Sequence, residues 1–519
     1  MSGGLLVLFI IASFINMDFI SNIVNTSFAF SVKYFGIFWQ VVLLATFLIA
    51  IGIAASSYGR LKLGKLEKPE MSTYKWISII MCTLLAGGGV FWAAAEPLYH
   101  FISIPPVFGE LQAGTPEAII PALSQSFMHW GFLAWAILGT LSSIVLIYAH
   151  YHKGMPLKPR TLLYPIFGEK ILNKNPIWTI IDAFSIIAVA AGTIGPIGFL
   201  GLQASFGLEE LFGIPNTYTT QLAIIIGVVL VSGLSALTGL HKGIQLLSRF
   251  NIGLSFILIM GILLLGPGGF IFNNFLPAFG SYIQKFILLS TYRGDQGWLG
   301  SWTVFFWGWF LGYGPMMAIF ISRISRGRTI RELIVAVAVI APIISCFWFT
   351  VVGGTGIYYE LLNPGIISGP LTDAGMPAAM IATTQQLPFG NIFGPAFLLL
   401  TILFVATTGD SMSFTISMAM TGEGNPPKFL RVFWAVVMGV IAAILLYIGN
   451  GGIDALQSFI VVTAVPVSFL MLPMLWLAPK VVGLLAQEQG ILKYYYPQVE
   501  KEKEKEKKAL KTAKKLSPN

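Results

Sequence analysis

The chain has 519 residues, of which 56% are apolar and only 10% charged, against about 25% charged in soluble domains. That composition leaves no room for a large soluble domain and points to an all-α polytopic membrane protein. The 31 basic and 22 acidic residues give a net charge of +9, which reads as membrane topology and not as nucleic-acid binding.

Apolar runs of about 20 residues, each long enough to cross a bilayer, predict about twelve spans. Their positions are 4–24, 36–57, 77–96, 127–149, 178–204, 221–240, 250–275, 299–323, 332–356, 391–421, 429–449 and 457–485. The first lies close to Met1 but has no basic n-region and no A-x-A site, so it reads as a retained span. Residues 1–76 form two peripheral spans. The third span carries Gly87-Gly88-Gly89 and ends at Glu96-Pro97, opening a first five-helix unit, 77–275. Residues 276–298 are external, with 280–292 (SYIQKFILLSTYR) predicted as an amphipathic interfacial helix.

The eighth span opens a second five-helix unit, 299–485, and carries Gly308, Gly312, Gly314 and Pro315. Gly and Pro at mid-helix predict a broken backbone ladder, tolerated in a membrane where it lines a cavity. Two interrupted helices five spans apart point to an inverted repeat with a site at the midplane. Residues 357–377 are expected as an external loop. The tail 486–519 is highly charged from Glu500 onward, either a solvated appendage or an arm that senses anionic lipid.

Basic residues lie 28 to 3 on one side of this layout. The positive-inside rule then predicts both termini in the cytoplasm. Arg323, Arg326, Arg328 and Arg331 mark that end of the eighth span and are candidates for a gate or a subunit contact. Cys82 and Cys346 sit in apolar spans, so a disulfide framework is not expected. The string Gly59–Leu66 lacks the Ser or Thr of a P-loop and follows a membrane helix. No nucleophile or metal-ligand motif suggests an enzyme.

The segment FFWGWFLGYGPMMAIFISRISRGRTIREL, with GGGVFWAAAEPLYHF, HWGFLAWA and LFVATTGDS, resembles the betaine/choline/carnitine transporter family over nearly the whole chain after residue 36. The resemblance implies twelve helices with a LeuT-type inverted five-helix repeat (spans 3–7 and 8–12), alternating access and a homotrimer in the plasma (cell inner) membrane. It implies an aromatic substrate cage of Trp130, Trp135, Phe305, Trp309, Phe310 and Tyr313. Ring faces suit a quaternary ammonium, which has no N–H to donate. Phe310 and Tyr313 replace tryptophans of betaine-type members, Leu138 replaces a tyrosine, and Leu84 and Ala86 replace glycines. These departures bear on which solute is carried.

The same resemblance implies a sodium site from Thr407, Thr408 and Phe404 with the carbonyls of Leu85 and Ala86. Of a second sodium site only Thr193 remains, beside Val189 and Met316. Glu96 reads as structural pairing or capping, and Asp410 as structural or proton-coupling. Together these readings describe a secondary transporter of glycine betaine, choline or carnitine, driven by sodium as coupling ion. Its partners would be a small molecule and lipid, with no nucleic acid and no cofactor. The alternatives are a sodium-independent exchanger and a channel or osmosensor.

Overall fold

In the computed structural model, residues 1–85, 88–238, 243–422, 425–450 and 452–491 are described. Helix α1 (Ser2–Ile15) stops at Asn16, whose extended backbone turns the chain and whose side chain accepts from Phe19 N at 3.0 Å, capping the next helix. α2 (Met17–Ala55) then runs unbroken for 39 residues. The expected break between 24 and 36 is therefore absent: the helix signal continues through that polar stretch, and the true interruption is the Asn16 cap.

α3 (Thr73–Leu85) and α4 (Gly89–Ile102) replace the third span, with Gly88 between them. α5 (Pro116–His152) bends at Gly131, and α6 (Pro176–Phe212), α7 (Tyr218–Thr238) and α8 (Gly243–Leu265) follow. Gly266 and Pro267 turn the chain by 106° into α9 (Gly268–Gln284). The seventh span expected at 250–275 is thus cut at Gly266–Pro267, and the stretch 280–292 falls on the end of α9 and on a short helix, Phe286–Thr291. The remaining long helices are α10 (Gln296–Ile324), α11 (Ile330–Leu362), α12 (Gly390–Thr421), α13 (Lys428–Ile448) and α14 (Asp454–Glu488).

Among the described residues, nine helices are long and apolar enough to cross a membrane, and the bent α8–α9 pair makes ten. The two remaining expected spans are short. α1 has 14 residues, about 21 Å of helix against a hydrocarbon core of about 30 Å. The other is described as two helices of 13 and 14 residues, α3 and α4, and residues 86 and 87 between them lie outside the described residues. Among the described residues there is no strand, only an isolated antiparallel bridge between Lys62 and Thr329.

The interior is built from α5, α6 and α10, whose apolar windows are 94% buried, whereas that of α7 is 22% buried and faces outward. α10 packs on α5, α6 and α14, and α4 packs between α5 and α11. One expectation is corrected here. α10 is not broken at Gly312–Pro315: the helix runs from Phe305 to Ile324 with Pro315 inside it. Pro315 removes a single ladder donor. Gly312 faces Ala188 of α6 and Ala464 of α14, and a Cβ there would meet them at 3.4–3.5 Å, an ordinary packing distance. The only irregular turn of α10 is a wide one at Gly300–Val304.

Candidate functional site

Aromatic side chains from α5 and α10 meet beside the interruption between α3 and α4. The rings of Trp309 and Phe310 lie within 9° of parallel, with centroids 5.7 Å apart. Trp130 stands edge-on to both, at 6.0 Å from Trp309 and 5.3 Å from Phe310. All three are 3–5% exposed. Two glycines make this convergence possible. A Cβ on Gly88 would lie 2.4 Å from the Trp309 ring and 3.1 Å from that of Trp130, and a Cβ on Gly192 would lie 2.2 Å from the ring of Tyr313. Neither position has room for a side chain.

The indole N–H groups are all spent on the protein. Trp309 donates to Gly192 O at 3.0 Å, and Trp130 to Glu96 Oε2 at 2.8 Å. Trp135 donates to Trp130 O at 3.1 Å and to Ser345 Oγ at 3.0 Å. This arrangement leaves ring faces as the recognition surface, the chemistry suited to a cation without N–H groups. Trp130 and Trp135 are five residues apart, and the bend at Gly131 lets the second indole reach the carbonyl of the first. Phe305 is wholly buried behind Trp309 at 5.5 Å and packs on Trp92. Tyr313 Oη lies 2.6 Å from Thr193 Oγ1, which also donates to Val189 O. Thr193, expected as a ligand of a second sodium site, is thus bonded to Tyr313.

Sequence reasoning did not name Phe306 and Phe349, which flank Trp130 at 5.5 and 5.2 Å. Nor did it name a polar cluster directly behind the cage. Glu96 Oε1 accepts from His129 Nδ1 at 2.6 Å and lies 3.4 Å from His100 Nε2, and all three side chains are fully buried. His129 Nε2 meets Thr303 Oγ1 at 2.9 Å and Gln125 Nε2 at 3.1 Å. The signal was present: His129 begins the motif HWGFLAWA, and His100 follows Glu96 by four residues, on the same helix face.

On α12, Thr407 Oγ1 donates to Leu403 O at 2.7 Å and Thr408 Oγ1 to Phe404 O at 3.0 Å. Asn251 Nδ2 donates to Thr407 Oγ1 at 3.2 Å, while its own buried Oδ1 has no protein partner. Phe404 shares an apolar cleft with Met81 of α3 and Val90 of α4, which flank the interruption. Ala86 and the side chain of Leu85 lie outside the described residues. Asp410 is held by Arg431 at 2.8 Å and by Ser235, as structural pairing requires.

The arginines stitch one end of the molecule. Arg328 bonds Thr73 Oγ1 and Met71 O at 2.9 and 2.7 Å, and Arg331 bonds Ala54 O and Ser56 O at 2.7 and 2.8 Å. Arg326 pairs with Glu70 at 2.7 Å, and Arg323 contacts Met418 Sδ at 3.4 Å. Glu488 pairs nearby with Lys153 and His152, and Lys65 Nζ bonds His152 O, so this is the basic end.

The chain matches the model of the betaine/carnitine/choline transporter family over residues 1–486. It is 55% identical over 492 residues to "Glycine betaine transporter 2" of Vibrio parahaemolyticus, covering 95% of this chain and 91% of the relative. It is 33% identical over 469 residues to a glycine betaine transporter of Bacillus subtilis, covering 89% of each. An ectoine/hydroxyectoine transporter of Virgibacillus pantothenticus is 33% identical over 455 residues, 86% of this chain and 88% of that one. With its helical membrane fold and its cage of ring faces, the chain belongs to the betaine/carnitine/choline family of transporters, and it is not an enzyme.

Proposed function

We propose that the protein accumulates glycine betaine, or a closely related methylated ammonium solute, by sodium-driven symport with alternating access. The observation that carries this reading is the cage: Trp130 and Trp309 spend their N–H groups on the protein, and with Phe310, which has none, they offer only ring surface. Each such face contributes about 0.5–2 kcal/mol toward a quaternary ammonium. The substrates named for the relatives from Vibrio and Bacillus agree with that chemistry.

Sodium is a hard cation that takes oxygen ligands. Support for a site beside α12 comes from the adjacent Thr407 and Thr408, the partnerless buried Asn251 Oδ1, and the approach of Phe404 to the α3–α4 interruption. One charge moving down about 100 mV releases roughly 2.3 kcal/mol, enough for about fiftyfold accumulation. Alternating access would move α3–α8 against α10–α14 as an inverted repeat of five spans each, α3 and α4 counting as one, within a twelve-span whole, which the turn at Gly88 between α3 and α4 supports. Both termini would lie in the cytoplasm beside the basic end, in the plasma membrane, and the assembly would be a homotrimer.

The test is uptake of labelled glycine betaine into proteoliposomes holding the full chain. An inward sodium gradient is expected to give uphill accumulation, and an equal potassium gradient none. Thr408→Ala and Asn251→Ala should each raise the sodium concentration for half-maximal uptake. Equal uptake in potassium that rises with internal substrate would show an exchanger instead.

A further inference from the structure

Behind Trp130, Glu96 and His129 are in direct contact at 2.6 Å, and no other part of the proposed mechanism uses them. We infer that this pair binds one exchangeable proton, and that the proton competes, through Trp130, with the quaternary ammonium group of the substrate. The inference rests on the cage reading above.

The hydrogen bonds around the pair accept two charge states. Glu96 Oε2 receives the Trp130 N–H, so Oε1 and His129 Nδ1 share one hydrogen between them. On the far side of the ring, Nε2 faces the Thr303 hydroxyl, which donates or accepts by rotation. It also faces the Gln125 amide, whose Oε1 has no partner as placed. Turning that amide over presents the oxygen in place of the nitrogen. Neutral His129 and its imidazolium are therefore both satisfied without moving a helix. His100 adds a second buried imidazole, 3.4 Å from Glu96 Oε1, with neither ring nitrogen hydrogen-bonded.

The surroundings give the pair no fixed countercharge. On α4 the nearest titratable neighbours are Tyr99 and His100. α5 brings Glu117, Tyr148, His150, Tyr151 and His152, while α9 brings Tyr282, which accepts from Phe132 N. α10 brings Tyr313, bonded to Thr193, and Arg323 at the basic end. α11 brings Arg331 and Glu332 at the basic end, Cys346, Tyr358, Tyr359, and Glu360, which is bonded to Gly365, Ile367 and Ser368. α6 brings Glu209, Glu210, and Asp182, which is paired with Arg160. Among the described residues only His100 ion-pairs with Glu96 besides His129. The pair is therefore neutral with the proton and carries a net negative charge without it.

A metal ion fits less well. Tetrahedral ligands at 2.0–2.1 Å from zinc stand roughly 3.3 Å apart, and the Glu96–His129 contact at 2.6 Å is a hydrogen-bond distance.

The coupling follows from Trp130. An N–H donating to a charged carboxylate makes a stronger bond than one donating to a neutral pair, and it leaves the indole face more electron-rich. That ring stands against Trp309 and Phe310. Loss of the proton therefore strengthens the cage for a quaternary ammonium, and binding of the ammonium expels the proton from His129 to solvent. By linkage the effect is reciprocal.

The test is calorimetric binding of glycine betaine to the purified full chain in two buffers of different ionisation enthalpy. Wild type is expected to release protons on binding and to bind about tenfold more weakly near pH 5 than near pH 8, within the usual range of coupling. Glu96→Gln and His129→Gln should each bind betaine with no pH slope and no proton release, while His100→Gln keeps both. Zero protons released by wild type with a flat affinity, which needs no variant, overturns the inference. So does a slope that survives in both Glu96→Gln and His129→Gln. Absence of betaine binding at every pH would instead defeat the cage reading. In that event pH-difference infrared spectra of the substrate-free protein decide the matter: carboxylate and imidazole bands that titrate and vanish in both variants support the proton site, and their absence in wild type overturns it.

Discussion

The cage and the basic end solve opposite problems with opposite residues. At the cage the N–H edges of three indoles are fixed to backbone and buried side chains, so that only ring surface is left to meet a ligand. At the basic end the arginines reach outward and spend their charge on carbonyls of residues 54–71. The first is dense, pinched by Gly88 and Gly192, and tolerates no added atom. The second is a set of separable hydrogen bonds between two segments, α2 to α3 and α10 to α11, whose relative position they hold. The proposed specificity would therefore reside among aromatic rings, while the charged end holds the frame.

The sharpest way to break that contrast is to add one methyl group to the dense region. Gly192→Ala puts a Cβ 2.2 Å from Tyr313. Overpacking of that kind costs about 1–3 kcal/mol, so initial uptake at low substrate should fall up to about a hundredfold while the protein still inserts and purifies. Next in size, Trp309→Ala removes one ring face and should raise the KM for uptake up to about thirtyfold, with Trp309→Phe in between. At the basic end the expected losses are of stability and smaller. Arg328 is 3% exposed, and its bonds to Thr73 and Met71 make Arg328→Ala worth about 1.5–3 kcal/mol, read as a lower melting temperature. The Arg326–Glu70 pair is solvent-exposed, and Arg326→Ala should cost less than about 1 kcal/mol. If Arg326→Ala impaired uptake as severely as Trp309→Ala at unchanged stability, the basic end would be a gate and not a frame.

Much of this architecture was legible. Apolar run length gave the spans, because a bilayer fixes the length of a helix. Where it misled, local chemistry explains why. Hydropathy put two spans at 4–24 and 36–57, yet the helix runs through residues 25–35, and the cap that is formed is at Asn16. Gly312 and Pro315 read as a break, but one missing donor does not unwind a helix that α6 and α14 enclose on both sides. The cage residues came through resemblance; of them Trp130, Trp309 and Phe310 lie against one another, with Phe305 behind Trp309. The Glu96–His129–His100 cluster was only partly legible because its members lie on two helices. Spacing relates Glu96 to His100, but only packing brings in His129.

The most direct test of the cage is selectivity among ammonium ions that differ only in methylation. Uptake of labelled glycine betaine into proteoliposomes would be competed with unlabelled glycine betaine, dimethylglycine and glycine. Ring faces without hydrogen-bond acceptors predict that competition falls steeply as methyl groups are replaced by N–H, and that Trp309→Ala flattens the series. Glycine competing as well as glycine betaine would contradict recognition by the cage.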